Sequence, residues 1–482
     1  MRTLPNFLVV AARSAFFAAV VLPASAQPTS LPAPDRVLAR EVFQQLIETN
    51  TSHSVGSTTV AAEAMRKRLL DAGFPSGDVM VIGPDARHGN LVARYRGAQG
   101  GTKKPVLIIC HLDVVEAKRE DWTTDPFQLV EKGGYFYGRG TQDIKESDAA
   151  SIVSFLRLKR EGFMPDRDII LALTAGEEGG EGNGVDWLLK NHRDMIDGEF
   201  ALNADSGGLT THDAKPLKIG VEATEKLYAD FQLTATNPGG HSSKPIPDNA
   251  LYHVSDALGK IEHYTFPFEL NIVTRAFFKQ MADVAKGQQA TDMRAILAPS
   301  VNLAAEARLS ADPRYNSTMR TTCVATMMEA GHAPNALPQH AQANVNCRIL
   351  PGHSPAEVRA KLTALIADAK VEVRLVSDAA SDSGENDVSI TPPPLNKEVF
   401  DALHDVAGRM FPGVPIIPEM ETGASDSKLT MAVGIPSYGF SGMGIDDDDD
   451  RAHGKDERIR VEAFYTGVQF DYLYLKRLTG GN

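Results

Sequence analysis

Two adjacent carboxylates, Glu177 and Glu178, follow an apolar run in the stretch LTAGEEGG that begins at Leu173. Adjacent side chains on an extended chain point in opposite directions, so the two are predicted to perform different tasks. Two like charges this close together also resist joint burial unless a cation compensates them. The pair therefore indicates a site that combines negative side chains with a positive charge.

Further imidazole and carboxylate side chains follow other strand-like stretches or lie in loops. His111 and Asp113 in CHLDVV are two residues apart, and Asp113 is placed to orient the imidazole with its carboxylate. Asp143 precedes a helical pattern, Asp205 follows a strand in NADSGG, and His453 lies in a loop near the C-terminus. A lone Asp before a helix is more often an ordinary cap. Together, however, imidazole and carboxylate donors suit zinc, or less specifically cobalt or manganese.

The segments that must position these side chains alternate between strand and helix. PVLIIC from Pro105 and DIILALT from Asp168 are continuous apolar runs, typical of strands buried on both faces, and EFALNADSGG from Glu199 follows as a third. Amphipathic helical patterns begin at Asp148 and Gly184. The alternation predicts an α/β fold with a mostly parallel sheet, whose ligands gather where the strands end.

The pattern changes after Gly220. Stretches from Glu225 and from His340 alternate like half-exposed strands and flank helical segments, and the Pro-rich TPPPLNKEVF then returns the chain to helix. We therefore predict a catalytic α/β domain formed by residues 27–220 and 388–482, with an α+β domain, residues 221–387, inserted into it.

Residues 1–26 have the features of a signal peptide. Arg2 and Arg13 precede an apolar run, and Ala24-Ser25-Ala26 has the small-x-small pattern of a cleavage site. The expected location is the periplasm or the medium, without stable membrane association after cleavage; an uncleaved anchor is the alternative. Loss of the two arginines takes the formal net charge from −13 to −15. Such an acidic chain is a poor partner for nucleic acid or anionic lipid.

The cysteines do not form a metal-binding motif. Cys110, Cys323 and Cys347 are too few and too far apart for a thiolate zinc site, and Cys110 and Cys347 are predicted to be buried free thiols. A metal would therefore be held by oxygen and imidazole. The acidic run Asp446–Asp450 is expected to be a solvated loop, or else to attract cations.

Taken in order, these motifs resemble those of the dinuclear zinc hydrolase family that contains aminoacylase, bacterial glutamate carboxypeptidase, succinyl-diaminopimelate desuccinylase and carnosinase. The resemblance covers most of the mature chain, and the region from Arg320 is most similar to the long carboxypeptidase S-like members. It is carried by HLDVV, DPF…YGRGTQDIK, TAGEEGG, NADSGG, NPGGHSSKP, NALP, RILPG, GASDS and HGKDE.

The resemblance implies two metal sites that share one ligand. His111, Asp143 and Asp205 would hold one ion, and Asp143, Glu178 and His453 the other, with Asp143 as the bridge. Glu177 would be the general base that deprotonates the bridging water. This division of labour agrees with the different tasks predicted for the two adjacent glutamates.

The resemblance also implies a lid and dimerisation role for the inserted domain. His241 would reach the active site of the partner subunit of a homodimer and polarise the scissile carbonyl, although a helix-end or core histidine is the ordinary explanation. Arg348, Asn335 and Gly423 would line the pocket for the substrate carboxylate, to which the planar Arg348 fork is suited. An unrelated arginine would form a surface ion pair.

Two positions depart from common family patterns. Glu146 follows the lysine of GRGTQDIK where many relatives have glycine, which could alter the loop that carries Asp143. Asp205 is Glu in the carboxypeptidase and desuccinylase branches, whereas Asp resembles the dipeptidase and aminopeptidase branch.

The sequence thus favours an exported metallohydrolase that cleaves the amide bond of a small peptide by metal-activated water, as a dipeptidase, aminopeptidase or carboxypeptidase. An N-acyl-amino-acid deacylase or carbamoylase would use the same residues and is the alternative. A binding protein on an inactivated hydrolase fold is the remaining hypothesis, disfavoured because the ligands and Glu177 are all present.

Overall fold

The structure is a computed structural model that describes Met1 and residues 29–98, 101–179, 182–376 and 389–480. Apart from Met1, the predicted signal peptide lies outside these residues. Within them, no helix combines the length and the apolar composition needed to cross a membrane.

The described chain alternates between strands and helices through both halves. The strands are β1 (Val79–Ile82), β2 (Asn90–Tyr95), β3 (Val106–His111), β4 (Val130–Lys132), β5 (Tyr135–Tyr137), β6 (Ile169–Thr174), β7 (Phe200–Asn203), β8 (Gly208–His212), β9 (Lys215–Glu225), β10 (Leu227–Thr236), β11 (Gly240–His241), β12 (Thr322–Ala330), β13 (Ala336–Leu337), β14 (His340–Ile349), β15 (Val371–Val376), β16 (Ile416–Glu421), β17 (Ser437–Gly439), β18 (Gly444–Asp446) and β19 (Arg458–Arg460). The helices are α1 (Ala33–Ile47), α2 (Thr58–Asp71), α3 (Lys145–Arg160), α4 (Gly184–Asn191), α5 (Arg193–Ile196), α6 (Ala250–Glu262), α7 (Ile272–Val284), α8 (Gly287–Ala295), α9 (Leu303–Ser310), α10 (Pro313–Met319), α11 (Pro355–Ile366), α12 (Lys397–Met410), α13 (Ser427–Ala432) and α14 (Val461–Thr479).

A large sheet with a parallel centre forms the first layer of the fold. Its strand order is β1-β2-β6-β3-β7-β17-β9-β8-β18, with β16 paired to β9. β6, β3, β7 and β17 run parallel to one another. All side chains of β3 and β6 are buried, as their continuous apolar sequences predict. The predicted mostly parallel α/β sheet is therefore confirmed.

Helices cover both faces of this sheet. Alternate residues of β3, such as Ile108, pack into a core with α1, α3, α12 and α14. The intervening residues, such as Leu107 and Ile109, pack against α4 and α5 on the opposite face. Burial on both faces fixes the strand register, so the ends of β3, β6 and β7 are held next to one another.

The inserted segment forms a second sheet of antiparallel strands in the order β12-β14-β10-β15. Side chains of α6 and α11 pack with one face of this sheet in a separate core. The large sheet extends beyond the predicted boundary at Gly220, because β9 continues to Glu225 and its last residues pair with β16. The predicted end of the insertion, residue 387, lies outside the described residues.

One cysteine prediction is wrong. Cys347 is not a free thiol but forms a disulfide with Cys323. The two residues are separated by 24 positions in sequence, yet the antiparallel register of β12 and β14 places them directly opposite each other, with Cα atoms 4.1 Å apart. Cys110 is free and buried, as predicted, and burial raises the pKa of its thiol well above the ordinary value.

The acidic run Asp446–Asp450 is only partly solvated. Asp446 is buried and accepts hydrogen bonds from Thr211 Oγ1 and from the Arg460 guanidinium. Asp449 forms ion pairs with Arg451 and Arg458. The three arginines follow the run in the sequence. The consecutive aspartates alone therefore did not indicate these pairings.

Candidate active site

The end of β3 delivers His111 into a group of carboxylates. Its Nδ1 lies 3.0 Å from the carbonyl oxygen of Asp113, and because a carbonyl only accepts, Nδ1 carries the hydrogen. Nε2 lies 3.1 Å from Asp143 Oδ1 and 3.5 Å from Asp205 Oδ1. If the ring is neutral, Nε2 directs a lone pair at two carboxylate oxygens, and a metal cation between them would relieve the repulsion.

Asp113 acts differently from the expectation. Its carboxylate lies 3.9 Å from His111 Nδ1, and the imidazole is oriented by the Asp113 main-chain carbonyl instead. The carboxylate accepts hydrogen bonds from the main-chain N–H groups of Glu177, at 3.2 Å, and Glu178, at 3.0 Å. Asp113 thus ties the end of β3 to the loop that carries both glutamates.

Glu177 and Glu178 lie in a loop and not on an extended strand, because β6 ends at Thr174. The turn passes through Gly176, whose φ of +71° and closeness to the backbone of Gly182 favour glycine. The two side chains fall into different groups, Glu177 with Asp205 and Glu178 with Asp143, around His111.

Ligand atoms of two groups lie within 4.8 Å of one another: His111, Glu177 and Asp205, and His111, Asp143 and Glu178.

Asp143 connects the two histidines. Its Oδ1 faces His111 Nε2, and its Oδ2 lies 2.9 Å from His453 Nε2. His453 Nε2 also lies 2.9 Å from Glu178 Oε2. One carboxylate therefore uses its two oxygens towards two imidazoles on opposite sides, which is the arrangement that a bridging metal ligand needs.

The electrostatics of this cluster require positive charge. Burial, followed by the nearby Asp143, raises the pKa of Glu178 to about 8. Burial and Asp205 raise the pKa of Glu177 well above its ordinary value. The hydrogen bond that His453 donates to the Asp143 carboxylate raises the pKa of His453 to about 9. The acids thus resist ionisation while the imidazoles favour protonation, which indicates an excess of negative charge at the site. Divalent metal ions would supply the missing positive charge.

The donor set also fits such ions chemically. Two imidazole nitrogens and several carboxylate oxygens converge, and thiolates are absent from these described residues. Zinc, cobalt and manganese accept such mixed nitrogen and oxygen ligands.

A buried ion pair, whose role the sequence motifs did not reveal, holds the His453 loop against the Asp143 loop. Arg139 Nη1 donates to Glu457 Oε2 at 2.5 Å, and both side chains are almost fully buried. Arg139 also donates to the carbonyls of His453 and Gly454, while Glu457 accepts from the N–H groups of Gly140 and Gln142. Arg139 lies in the motif YGRGTQDIK with Asp143, and Glu457 lies in the motif HGKDE with His453. This closeness in sequence to a predicted ligand is the signal that could have identified them.

The remaining predicted residues lie away from this cluster in two pairs. His241 and Asn335 are exposed neighbours at the antiparallel pair of β11 and β13, where Ser242 N donates to the Asn335 carbonyl at 3.0 Å. His241 Nδ1 contacts Ser243 Oγ at 2.8 Å.

The second pair joins the two domains. Arg348, at the end of β14, donates to the carbonyl of Thr422 at 3.3 Å, beside Gly423. Its guanidinium also lies over the Tyr228 ring, 4.7 Å from the centroid. Among the contacts of the described residues, none links either pair to the ligand cluster.

Comparison with known proteins agrees with this geometry. The chain is 28% identical over 408 residues to the probable carboxypeptidase S-like 2 of Dictyostelium discoideum, covering 80% of this chain and 74% of that protein. It is 27% identical over 472 residues to the human N-fatty-acyl-amino acid synthase/hydrolase PM20D1, covering 93% and 89%.

Solved structures share the fold. A M20 family metallo-carboxypeptidase from Sulfolobus solfataricus matches with a TM-score of 0.68 and 17% identity, over 91% of this chain and 99% of that one. The di-peptidase Dug1p of Saccharomyces cerevisiae matches with a TM-score of 0.60 and 16% identity, over 92% and 96%.

A sequence profile covers most of the described chain, from β3 to α14, and includes every predicted metal ligand. That profile is the one for peptidase family M20/M25/M40, and it matches residues 107–477. This chain therefore belongs to peptidase family M20/M25/M40 and is a hydrolase of the metallopeptidase and amidohydrolase type.

Proposed function

We propose that this protein hydrolyses the amide bond of small peptides with the help of two zinc ions. One observation carries the proposal. Two imidazoles and four carboxylates from separate strand ends and loops converge on one point: His111, Asp143, Glu177, Glu178, Asp205 and His453.

The ligands divide between the two ions. His111 and Asp205 would hold the first, Glu178 and His453 the second, and Asp143 would contribute one oxygen to each. When bound, such ions polarise a carbonyl and lower the pKa of a bound water to about 7. Asp113 contributes indirectly, because its main-chain carbonyl fixes the His111 tautomer and its carboxylate fixes the glutamate loop.

Glu177 would move the proton. Its side chain approaches His111 and Asp205 without taking part in the Asp143–His453 contacts, so it is free to act as a base. A carboxylate in this position can accept the proton of the attacking water and transfer it to the leaving nitrogen. Glu178, held against His453, would remain a ligand.

The inserted domain would hold and polarise the substrate. The Arg348 guanidinium, beside Gly423, has the donor geometry for a substrate carboxylate, and Asn335 would assist it. His241 would donate a hydrogen bond to the scissile carbonyl from the partner subunit of a homodimer. Its exposed position on the short strand β11 suits a side chain that reaches into another subunit.

The free edge of the inserted sheet supports the dimer. Among the described residues, β12 pairs with β14 on one side only, and its exposed side chains include Val324, Met327 and Met328, of which Met327 is 72% exposed. An unpaired edge strand that bears apolar side chains is suited to pair with a second copy. Size-exclusion chromatography with light scattering would measure the predicted dimer, and a monomer at micromolar concentration would contradict it.

A second candidate function is hydrolysis of N-acyl amino acids. It is favoured by the similarity to the N-fatty-acyl-amino acid synthase/hydrolase of Homo sapiens, which spans most of both chains. Turnover of free dipeptides and of N-acylated amino acids with the same C-terminal residue would distinguish the two candidates.

We also propose export to the periplasm or the medium. The N-terminal pattern and the Cys323–Cys347 disulfide support this, because disulfides persist in oxidising compartments. Mass spectrometry of the protein recovered from an expressing bacterium should give a mature chain that begins at Gln27; an intact Met1 terminus would contradict it.

Metal removal tests the main proposal. Chelator-treated protein should lose its activity on a dipeptide panel and regain it with about two equivalents of zinc, cobalt or manganese, counted by elemental analysis. Activity that survives complete metal loss would refute the proposal, as would the absence of all amide hydrolysis in the reloaded protein.

A further inference from the structure

A cavity of about 340 Å³ opens beside the ligand cluster, on the side of Asp143 and Asp205, which both line it. The volume lies in the range of small-molecule sites and is far larger than an ion requires. None of the roles assigned so far to Arg348, Asn335 or His241 uses this cavity. Because none of these residues lines it, the cavity is available to a part of the substrate that they do not bind.

The cavity has apolar walls and an acidic interior. Leu209, Met443 and Ile445 supply apolar surface, and no lysine or arginine lines it among the described residues. Of its acids, Asp446 is neutralised by Arg460, and Asp447 lies 2.8 Å from His212 Nδ1.

Glu146 is the buried acid of this cavity that lacks such compensation. Only 3% of the residue is exposed, and Oε1 accepts a hydrogen bond from Ser147 Oγ at 3.0 Å. Oε2 is buried and has no hydrogen-bond partner in the part of the chain that the structure describes. Leaving a buried carboxylate oxygen unpaired is costly, and burial raises the pKa of Glu146 well above its ordinary value. A cation against Oε2 would offset that cost.

The position of Glu146 in the chain indicates a specific role. It lies in the first turn of α3, three residues after Asp143. The helix N-terminus favours a carboxylate there, but this effect does not supply the missing partner of Oε2. The side chain thus adds a buried acid to the lining of the cavity.

We propose that Glu146 binds an ammonium group on the acyl side of the scissile amide and thereby selects substrates that carry one. This inference rests on the proposed amide hydrolysis and names its substrate class. The ammonium is either the free N-terminus of a peptide or a lysine-like side chain, since both fit a cavity with partly apolar walls and a buried carboxylate oxygen that lacks a partner. Anionic acyl groups, such as succinyl, are excluded by the like charge.

A matched substrate panel tests the inference with zinc-loaded protein. Each substrate carries the same C-terminal leucine, and only the acyl part changes: alanyl, N-acetyl-alanyl, N-acetyl-lysyl and succinyl. We expect kcat/KM for the alanyl or the N-acetyl-lysyl substrate to exceed that for the N-acetyl-alanyl substrate by at least about tenfold, the effect of one charge-assisted hydrogen bond. The alanyl substrate tests the terminal ammonium and the N-acetyl-lysyl substrate tests the side-chain ammonium. Succinyl-leucine should be the poorest.

Variants of Glu146 identify the residue responsible. Glu146→Gln retains the shape but removes the charge, and it should reduce the ratio of ammonium to N-acetyl-alanyl turnover by at least about tenfold. Glu146→Asp keeps the charge and should retain part of the ratio. Glu161→Gln, just beyond the C-terminal end of the same helix, is the control and should leave the ratio unchanged. Metal content, measured for each variant, excludes loss of the ions as the cause.

The outcomes separate this inference from the function on which it rests. If the wild-type protein hydrolyses the panel but favours N-acetyl-alanyl or succinyl substrates, the inference is wrong and the hydrolase function stands; this test needs no variant to fold. A ratio unchanged in Glu146→Gln also overturns it. If metal-loaded wild-type protein hydrolyses no amide in the panel or among wider dipeptides, the proposed function fails as well.

Discussion

The large domain and the inserted domain are both predicted to contribute residues to the candidate site, but within one chain only the residues of the large domain converge. In the large domain, the ligand side chains already lie within hydrogen-bonding distance of one another. In the inserted domain, His241 and Asn335 stand on an exposed two-residue strand pair and contact each other's neighbours. This difference is expected if the residues of the large domain bind ions within their own subunit and those of the inserted domain contact a substrate bound in the partner subunit.

The two regions also differ in how their loops are held. The His453 loop is fixed by the buried Arg139–Glu457 pair, although the His453 side chain itself is 56% exposed. The strand that carries His241 is held by main-chain pairing with β13 and by local contacts such as that with Ser243. Metal ligands must be held closely in place, whereas a residue that acts across an interface can be positioned by that interface.

The largest expected effect comes from removing the proposed base. Glu177→Gln should reduce kcat by about 10²–10⁴-fold, the usual contribution of a positioned proton-transfer group, while metal content stays the same. Steady-state kinetics and elemental analysis measure the two quantities. Glu131→Gln, on the exposed strand β4, is the control. Unchanged turnover in Glu177→Gln would remove Glu177 as the base.

The second effect concerns the buried pair of the large domain. Arg139→Met should lower the free energy of unfolding by about 3–5 kcal/mol, because it leaves Glu457 buried and charged without its partner. The variant should also bind zinc more weakly, since the His453 loop loses its support. Denaturant unfolding and zinc titration test both results. Arg40→Met, which breaks the exposed pair with Glu131, is the control and should change stability by less than about 1 kcal/mol.

The third effect tests the inserted domain. His241→Ala should reduce kcat by about 10²–10³-fold, as expected for the loss of one donor to the developing oxyanion. Mixed with Glu177→Gln subunits, it should recover about a quarter of wild-type activity, because half of the dimers are mixed and each contains one intact site. Failure to recover, with subunit exchange confirmed by mass, would contradict catalysis in trans. His263→Ala, an exposed histidine after α6, is the control.

The sequence was most informative where one local pattern determines one structural feature. Apolar runs predicted β3 and β6, because strands buried on both faces need them, and chemistry-bearing residues at their ends identified the cluster. It was least informative where distant segments meet. The carbonyl of Asp113 replaced its carboxylate as the partner of His111, and Glu457 pairs with Arg139 across much of the chain. Such choices depend on loop geometry and not on residue type.

The Cys323–Cys347 disulfide, which also depends on distant pairing, carries the smallest expected effect. Replacing both cysteines by alanine should destabilise the inserted domain by about 3 kcal/mol, because the crosslink closes a loop of 24 residues in the unfolded chain. Zinc content should not change, since the ligands belong to the other domain. Alkylation of denatured wild-type protein should modify Cys110 alone before reduction and all the cysteines after it. If the double variant lost zinc as well, the two regions would be coupled more tightly than their separate cores imply.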